Sequence, residues 1–238
     1  MISQNLQELK SRIGRAAQRG GRRPEDVRLL AVTKTVSIDS IHEAISSGQR
    51  LFGENYVQEA AKKLESMGEL YYEATWHFIG HLQRNKAKLA VQLFDCVETV
   101  DNLKLARALD RHARTAGKRL SVYIQVNVAQ DPRKSGLSPA ELPIFLTEAT
   151  ELSSIDICGL MTIPPWEPEP ESLRPWFKAL RELRDKTNTG LDHGPELREL
   201  SMGMSQDFET AIEEGATVVR IGTALFGQRE CSTGKRNV

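Results

Sequence analysis

Leu29-Leu30-Ala31-Val32-Thr33-Lys34 is an apolar run of strand length that ends on an amine. Val32 and Thr33 are β-branched, which suits a pleated, half-buried backbone. Arg23-Pro24-Glu25-Asp26 precedes the run and gives it an abrupt start. Further apolar or β-branched runs follow near 50–54, 75–79, 94–100, 120–128, 155–162, 198–201 and 217–221. Between them lie stretches near 38–47, 56–67, 83–92, 102–116, 138–150, 171–187 and 206–214, each with an apolar stripe opposite charged residues, as surface helices have. Gly48, Gly68, Gly117 and Gly215 fall at or just past the ends of such stretches, where helices stop. Strands alternating with helices predict a parallel α/β fold. Eight strands is the count that closes, so the expected architecture is a (β/α)8 barrel of the TIM type. An open doubly wound sheet is the second choice, but its GxGxxG fingerprint after the first strand is absent.

An extra helix is expected at the N-terminus, where Ile2, Leu6, Leu9 and Ile13 recur at helical spacing. The first 23 residues are rich in arginine and poor in acid, as transit peptides are. An ordinary packed helix explains the same pattern, and no apolar signal-peptide core is present. At 238 residues the chain has a length that α/β barrels often reach as one unit. One domain is expected over 1–230, with a polar, disordered tail at 231–238. The segment Pro164-Pro165-Trp166-Glu167-Pro168-Glu169-Pro170 is too short for an interdomain linker and reads as a surface loop. Lys+Arg and Asp+Glu balance at 32 each, so nothing pulls the chain toward nucleic acid or anionic lipid. No apolar stretch approaches membrane-spanning length. Cys96, Cys158 and Cys231 are odd in number and form no CxxC, which suits reduced thiols and a cytoplasmic location. A monomer is expected.

In a β/α barrel the active face lies at the carboxyl ends of the strands. Lys34 stands at such an end. Partial burial there disfavours the ammonium and exposes a nucleophilic amine suited to a Schiff base with an aldehyde. A snorkelling lysine that merely caps the strand is the plainer reading. The last strand, Thr217-Val218-Val219-Arg220-Ile221-Gly222-Thr223, holds a guanidinium that must find an anion or a strong acceptor. Its partner is either a core carboxylate or a bound ligand. Gly222 and Thr223 follow where the chain turns, and bare N–H groups with a hydroxyl suit a phosphate. Barrels commonly bind phosphate in the loops after strands seven and eight. Strand seven ends Leu200-Ser201-Met202-Gly203-Met204-Ser205-Gln206-Asp207. Ser201 and the N–H groups around Gly203 would complete a cradle, unless this is a plain turn. Ser205 reads as a helix N-cap with Asp207 in the first turn. Glu54 and Asn55 would face the same rim as Lys34, or cap the next helix. His77 and His81 would lie roughly 13 Å apart on a strand, too far to share an ion, and no metal is expected.

An amine for an aldehyde, a phosphate cradle and an arginine to face a ring nitrogen together describe pyridoxal 5′-phosphate (PLP). The segments AVTK (31–34), FGENYVQEA (52–60), WHFIGHLQRNK (76–86), ICGLMTI (157–163), LSMGMSQDFETAI (200–212) and VRIGTALFG (219–227) resemble the pyridoxal phosphate homeostasis proteins, also called the proline-synthetase co-transcribed family. The resemblance runs from about residue 5 to 228. It implies one β/α barrel akin to the N-terminal domain of bacterial alanine racemases. It also implies that Lys34 is the Schiff-base lysine and that Arg220 faces the pyridine nitrogen. The phosphate is implied near Ser201, Met202, Gly222 and Thr223, with Asn55 close to the cofactor. Such proteins bind PLP and buffer or deliver it, so PLP-dependent apo-enzymes are the implied partners and amino-acid pools respond to loss.

Arginine can donate a proton in a hydrogen bond but cannot accept one. Opposite the ring nitrogen it leaves that nitrogen largely unprotonated, a poor electron sink, which disfavours carbanion chemistry. Related racemases are implied to use a tyrosine from an additional β-domain as second acid/base, and the chain after strand eight is short for such a domain. No catalytic residue is therefore assigned. A carrier is the favoured function. A racemase-like PLP enzyme and a sugar-phosphate barrel with an aldolase-type lysine are the alternatives.

Overall fold

The computed structural model of the protein describes residues 1–190 and 195–227. At its centre eight parallel strands follow one another in chain order and close into a barrel. They are β1 Arg28–Val32, β2 Leu51–Glu54, β3 Thr75–Phe78, β4 Cys96–Val100, β5 Leu120–Gln125, β6 Ile155–Met161, β7 Glu199–Met204 and β8 Val218–Ile221. β8 returns to β1 with Leu30 opposite Arg220 and Ala31 opposite Ile221. The helices are α1 Ile2–Arg19, α2 Ile38–Ser46, α3 Val57–Met67, α4 Ala87–Leu93, α5 Leu103–Thr115, α6 Leu142–Ala149, α7 Arg174–Gly190, α8 Phe208–Glu213 and α9 Thr223–Phe226. The expected tail at 231–238 lies outside the described residues.

Alternation along each strand sends side chains to two places. One set joins a continuous apolar layer between strands and helices, with Phe52 stacked on Trp76 at 5.0 Å between ring centroids. The other set faces the barrel interior. There Leu30, Ile79 and Val218 form one small apolar cluster, and Cys96, Tyr123 and Met161 another. β8 shows the rule: Val219 and Ile221 belong to the outer layer, whereas Val218 and Arg220 do not. Both faces are buried, so these strands read as unbroken apolar runs.

The N-terminal stripe is a packed helix. Ile2, Leu6, Leu9 and Ile13 are buried along α1. The Arg12 guanidinium lies 4.7 Å from the Phe208 ring centroid and pairs with Glu209 at 3.0 Å. α1 thereby clamps α8 to the outside of the barrel. Several boundaries differ from expectation by a few residues, and two of them have a visible local cause or consequence. The helix expected from 138 starts only at Leu142, because the Ser138 N–H donates to the Glu141 carboxylate and closes a turn first. β1 ends at Val32, which leaves Thr33 and Lys34 at the start of the following turn. Among the described residues no helix is long and apolar enough to cross a membrane. Among those residues, too, no group of three His, Cys, Asp or Glu side chains gathers to hold a metal ion.

Candidate functional site

The turn after β1 carries Lys34, and two buried side chains fix that turn. Lys63, from α3, donates to the Thr33 carbonyl at 2.7 Å and to Glu54 Oε1 at 2.6 Å. Thr33 Oγ1 donates to the same Glu54 oxygen at 2.7 Å. Glu59, one helical turn before Lys63, accepts the Thr35 N–H at 2.8 Å. Thr35 itself has φ 61°, a left-handed conformation that strains a β-branched residue. The ion-paired wall beside it holds the strain in place. Glu54 is wholly buried and does not face the rim as expected from the sequence; burial raises its pKa despite Lys63 and Thr33, which act to lower it.

A cavity of about 340 Å³ opens at the carboxyl end of the barrel and is lined by Lys34, Arg220, Gly222 and Thr223, among others. That volume is at the small end of ordinary ligand sites. β1 and β8 are neighbours, and Gly222 lies against the end of β1, where an added Cβ would meet the Val32 carbonyl oxygen at an ordinary contact distance of 3.4 Å. Thr223 opens α9. The first N–H groups of a helix have no intrahelical acceptor and can receive an anion. Lys134, from the loop after β5, also lines the cavity, where it donates to the carbonyls of Ile163 (3.1 Å) and Pro164 (2.5 Å). Burial lowers its pKa. Trp166 stands exposed at the cavity's edge.

Arg220 is 4% exposed. Its Nη1 donates to Ser201 Oγ at 2.6 Å and its Nη2 to the Thr162 carbonyl at 2.8 Å. Among the described residues no carboxylate lies within 4.0 Å of it, so a core carboxylate, one of the two expected partners, is not in direct contact. The nearest balancing charge is one hydroxyl away, because Ser201 Oγ lies 2.5 Å from Glu98 Oε2. Glu98 Oε1 in turn lies 2.6 Å from His77 Nδ1. Burial lowers the Arg220 pKa, and Glu98 and Asp207 act against that. Burial is also the largest influence on Glu98 and raises it, but His77, Arg220 and Ser201 together leave it below the usual carboxylate range.

Lys34, Arg220, Gly222 and Thr223 thus meet at one cavity. Ser201 lies in the barrel wall behind Arg220 with its hydroxyl already engaged on both sides. The Met202 side chain is buried in the outer apolar layer. Asn55 lines a second cavity of about 260 Å³ with His81 and Lys86, and its Oδ1 is buried without a partner among the described residues. Ser205 is not the cap of α8. Asp207 holds the N-cap position, and its carboxylate accepts the Met204 N–H at 2.5 Å. Burial raises the Asp207 pKa. Sequence reading missed Glu98, Lys63 and Glu59, and weighed His77 only as a metal ligand. Glu98 did carry a signal: a carboxylate inside an apolar strand, the counterpart of the arginine in β8. The spacing of Glu59 and Lys63 reads as a solvated helix pair and gave none.

The amine, the guanidinium, the open helix start and the hydroxyl at one cavity fit PLP as a donor set. They offer a nucleophile for its aldehyde, a donor for its ring nitrogen and N–H groups for its phosphate.

Comparison with known proteins agrees with this chemistry. The alanine racemase N-terminal domain family matches residues 4–230. A pyridoxal phosphate homeostasis protein of Aquifex aeolicus is 42% identical over 227 residues, covering 95% of this chain and 98% of its own. Its namesake from Escherichia coli K12 is 42% identical over 232 residues, covering 97% and 98%. The structure of PipY from Synechococcus elongatus with PLP bound superposes with TM-score 0.84 at 38% identity, covering 95% of this chain and all of PipY. With identity of this level along nearly its whole length, the chain belongs to the pyridoxal phosphate homeostasis protein family, within the alanine racemase N-terminal domain family.

Proposed function

We propose that this protein binds PLP at the carboxyl mouth of its barrel and buffers or delivers it, without turnover of amino acids. The observation that carries the reading is the meeting of Lys34 and Arg220 at one cavity beside the Gly222–Thr223 turn. When bound, the cofactor supplies an aldehyde that condenses with an amine. Lys34 is the amine assigned to it. Arg220 donates to the ring nitrogen, and the main chain at Gly222 and Thr223, with Thr223 Oγ1, receives the phosphate. Met202 contributes through its main chain, and Ser201 by holding Arg220. Asn55, whose orphaned Oδ1 needs a donor, lines the second cavity, which among the described residues shares no lining residue with the first, so its place near the cofactor rests on the family resemblance. Three cations, Lys34, Lys134 and Arg220, face the cavity against the carboxylates of Glu167 and Asp207, which favours an anionic ligand.

A donor-only arginine at the ring nitrogen argues against an electron-sink role, and the relatives carry the name of homeostasis proteins rather than enzymes. One domain over 1–230, a monomer, a cytoplasmic location and transfer to PLP-dependent apo-enzymes complete the proposal. Purified protein should carry a yellow chromophore, and should hand it to an apo-enzyme added in solution. Amino acids incubated with the loaded protein in deuterated water should show little exchange at the α-carbon. Rapid exchange of one amino acid, abolished by Lys34→Ala, would turn the reading toward a racemase-like enzyme. A colourless protein that takes up no PLP would favour a sugar-phosphate barrel.

A further inference from the structure

We propose that Glu98, acting through the Ser201 hydroxyl, is a positioning residue that holds Arg220 as a hydrogen-bond donor toward the ring nitrogen of the bound cofactor. This rests on the reading that Arg220 faces that nitrogen. The groups involved come from three strands, β4, β7 and β8, with His77 added from β3. Each is nine-tenths or more buried: His77 is 5% exposed, Arg220 4%, and Glu98 and Ser201 0%.

The direction of every proton in the chain follows from one fact. A guanidinium has donors and no acceptor. Ser201 Oγ, 2.6 Å from Nη1, must therefore accept from Arg220. Its single proton is then left for Glu98 Oε2, at 2.5 Å. With that oxygen accepting, an ionised Glu98 accepts on its other oxygen from His77 Nδ1–H, at 2.6 Å. The donors run inward from both ends and converge on one carboxylate. That carboxylate balances the buried guanidinium without touching it.

The spacing has a consequence for the ligand. A carboxylate in direct contact with arginine engages two parallel N–H groups in a fork. Here one N–H goes to Ser201 and another to the Thr162 carbonyl, so three of the five donors stay uncommitted among the described residues. An arginine with no balancing charge would be costly to keep in the barrel interior. A hydroxyl spacer meets both demands, with the charge compensated and part of the guanidinium left to face the cavity. The charged groups that bear on Arg220 are Glu98 and Asp207. Of the two, Glu98 acts more strongly on Arg220, and it is the one joined to the guanidinium through a hydroxyl, whereas Asp207 at the start of α8 accepts the Met204 N–H.

Three variants test this: Arg220→Lys, Ser201→Ala and Glu98→Gln. For each, PLP is titrated into apo-protein, the pH dependence of the bound-cofactor absorbance is recorded, and the melting temperature of apo-protein is measured. Ser201→Ala and Glu98→Gln should each weaken PLP binding about tenfold, the scale of one charge-assisted hydrogen bond. Both should move the absorbance pH profile in the same direction as Arg220→Lys. If Arg220→Lys leaves binding and profile at wild-type values, the reading of Arg220 at the ring nitrogen is wrong. If Arg220→Lys changes them but the other two variants do not, Glu98 is no positioning residue. Lower apo-protein melting with an unchanged absorbance profile counts as the same refutation. Should Glu98→Gln fail to fold, Ser201→Ala decides alone, because it deletes one oxygen and leaves the packing of the wall intact.

Discussion

Lys63 donates to Glu54 across 2.6 Å inside the wall beside the Lys34 turn, with side chains 8% and 0% exposed. Removing one partner of such a pair strands the other charge away from water.

Lys63→Met should therefore lower unfolding stability by about 3–5 kcal/mol, measured by urea denaturation. The double variant Lys63→Met/Glu54→Leu should recover much of that loss, because replacing both charges leaves nothing unpaired. Recovery of stability need not restore the turn. Thr35 keeps its left-handed φ of 61° only while its surroundings impose it, so reaction of Lys34 with aldehydes should be altered in both variants. A single variant as stable as wild type would show the pair to be incidental.

The pH dependence of stability should expose Glu98. Its pKa in the folded protein lies below the ordinary glutamate value, so ionised Glu98 adds stability above about pH 4.3. That contribution disappears as pH falls through the lowered folded value. Glu54 has the opposite sign, because a raised folded pKa removes stability as pH climbs. The melting-temperature gap between wild type and Glu98→Gln should accordingly be widest at neutral pH and narrow below about pH 4. A gap independent of pH would mean that Glu98 is not ionised in the fold.

Gly203 should tolerate no side chain. It has φ 91°, and a Cβ there would fall 2.6 Å from Ala211 Cβ and 3.0 Å from Phe208 Cα. Gly203→Ala combines strained backbone with overpacking against α8 and should cost about 2–3 kcal/mol in thermal unfolding. Because β7 runs from Ser201 through Gly203, the variant should also weaken PLP binding. Unchanged binding with reduced stability would uncouple the α8 contact from the cavity.

The barrel was legible because each of its eight strands is buried on both faces and each helix carries an apolar stripe. Those patterns survive in a single sequence. That Lys34 and Arg220 stand at one cavity was legible for the same reason inverted: a guanidinium within an apolar run must find an acceptor, and a lysine at a strand's carboxyl end stands at the mouth of a barrel. The partners were harder to read. Arg220 touches no core carboxylate, but reaches Glu98 through a hydroxyl from a third strand. Strand alternation gives the face on which Glu98 and Ser201 lie, but closure of the barrel decides which inward residues meet across it. The Met202 side chain points outward because it is one residue from Ser201, a parity that a turn-based reading of the phosphate cradle does not weigh. Ser205 resembled a cap by residue type, yet the chain turns once more before α8 and Asp207 takes the position.

Borohydride reduction of the PLP-loaded protein followed by peptide mass mapping tests the central assignment most directly. The cofactor mass should be fixed on the peptide that contains Lys34, and Lys34→Ala should lose both that label and the visible absorbance band of the loaded protein. Cofactor mass on a different lysine, or no fixed mass in a protein that is yellow before reduction, would contradict the assignment of Lys34.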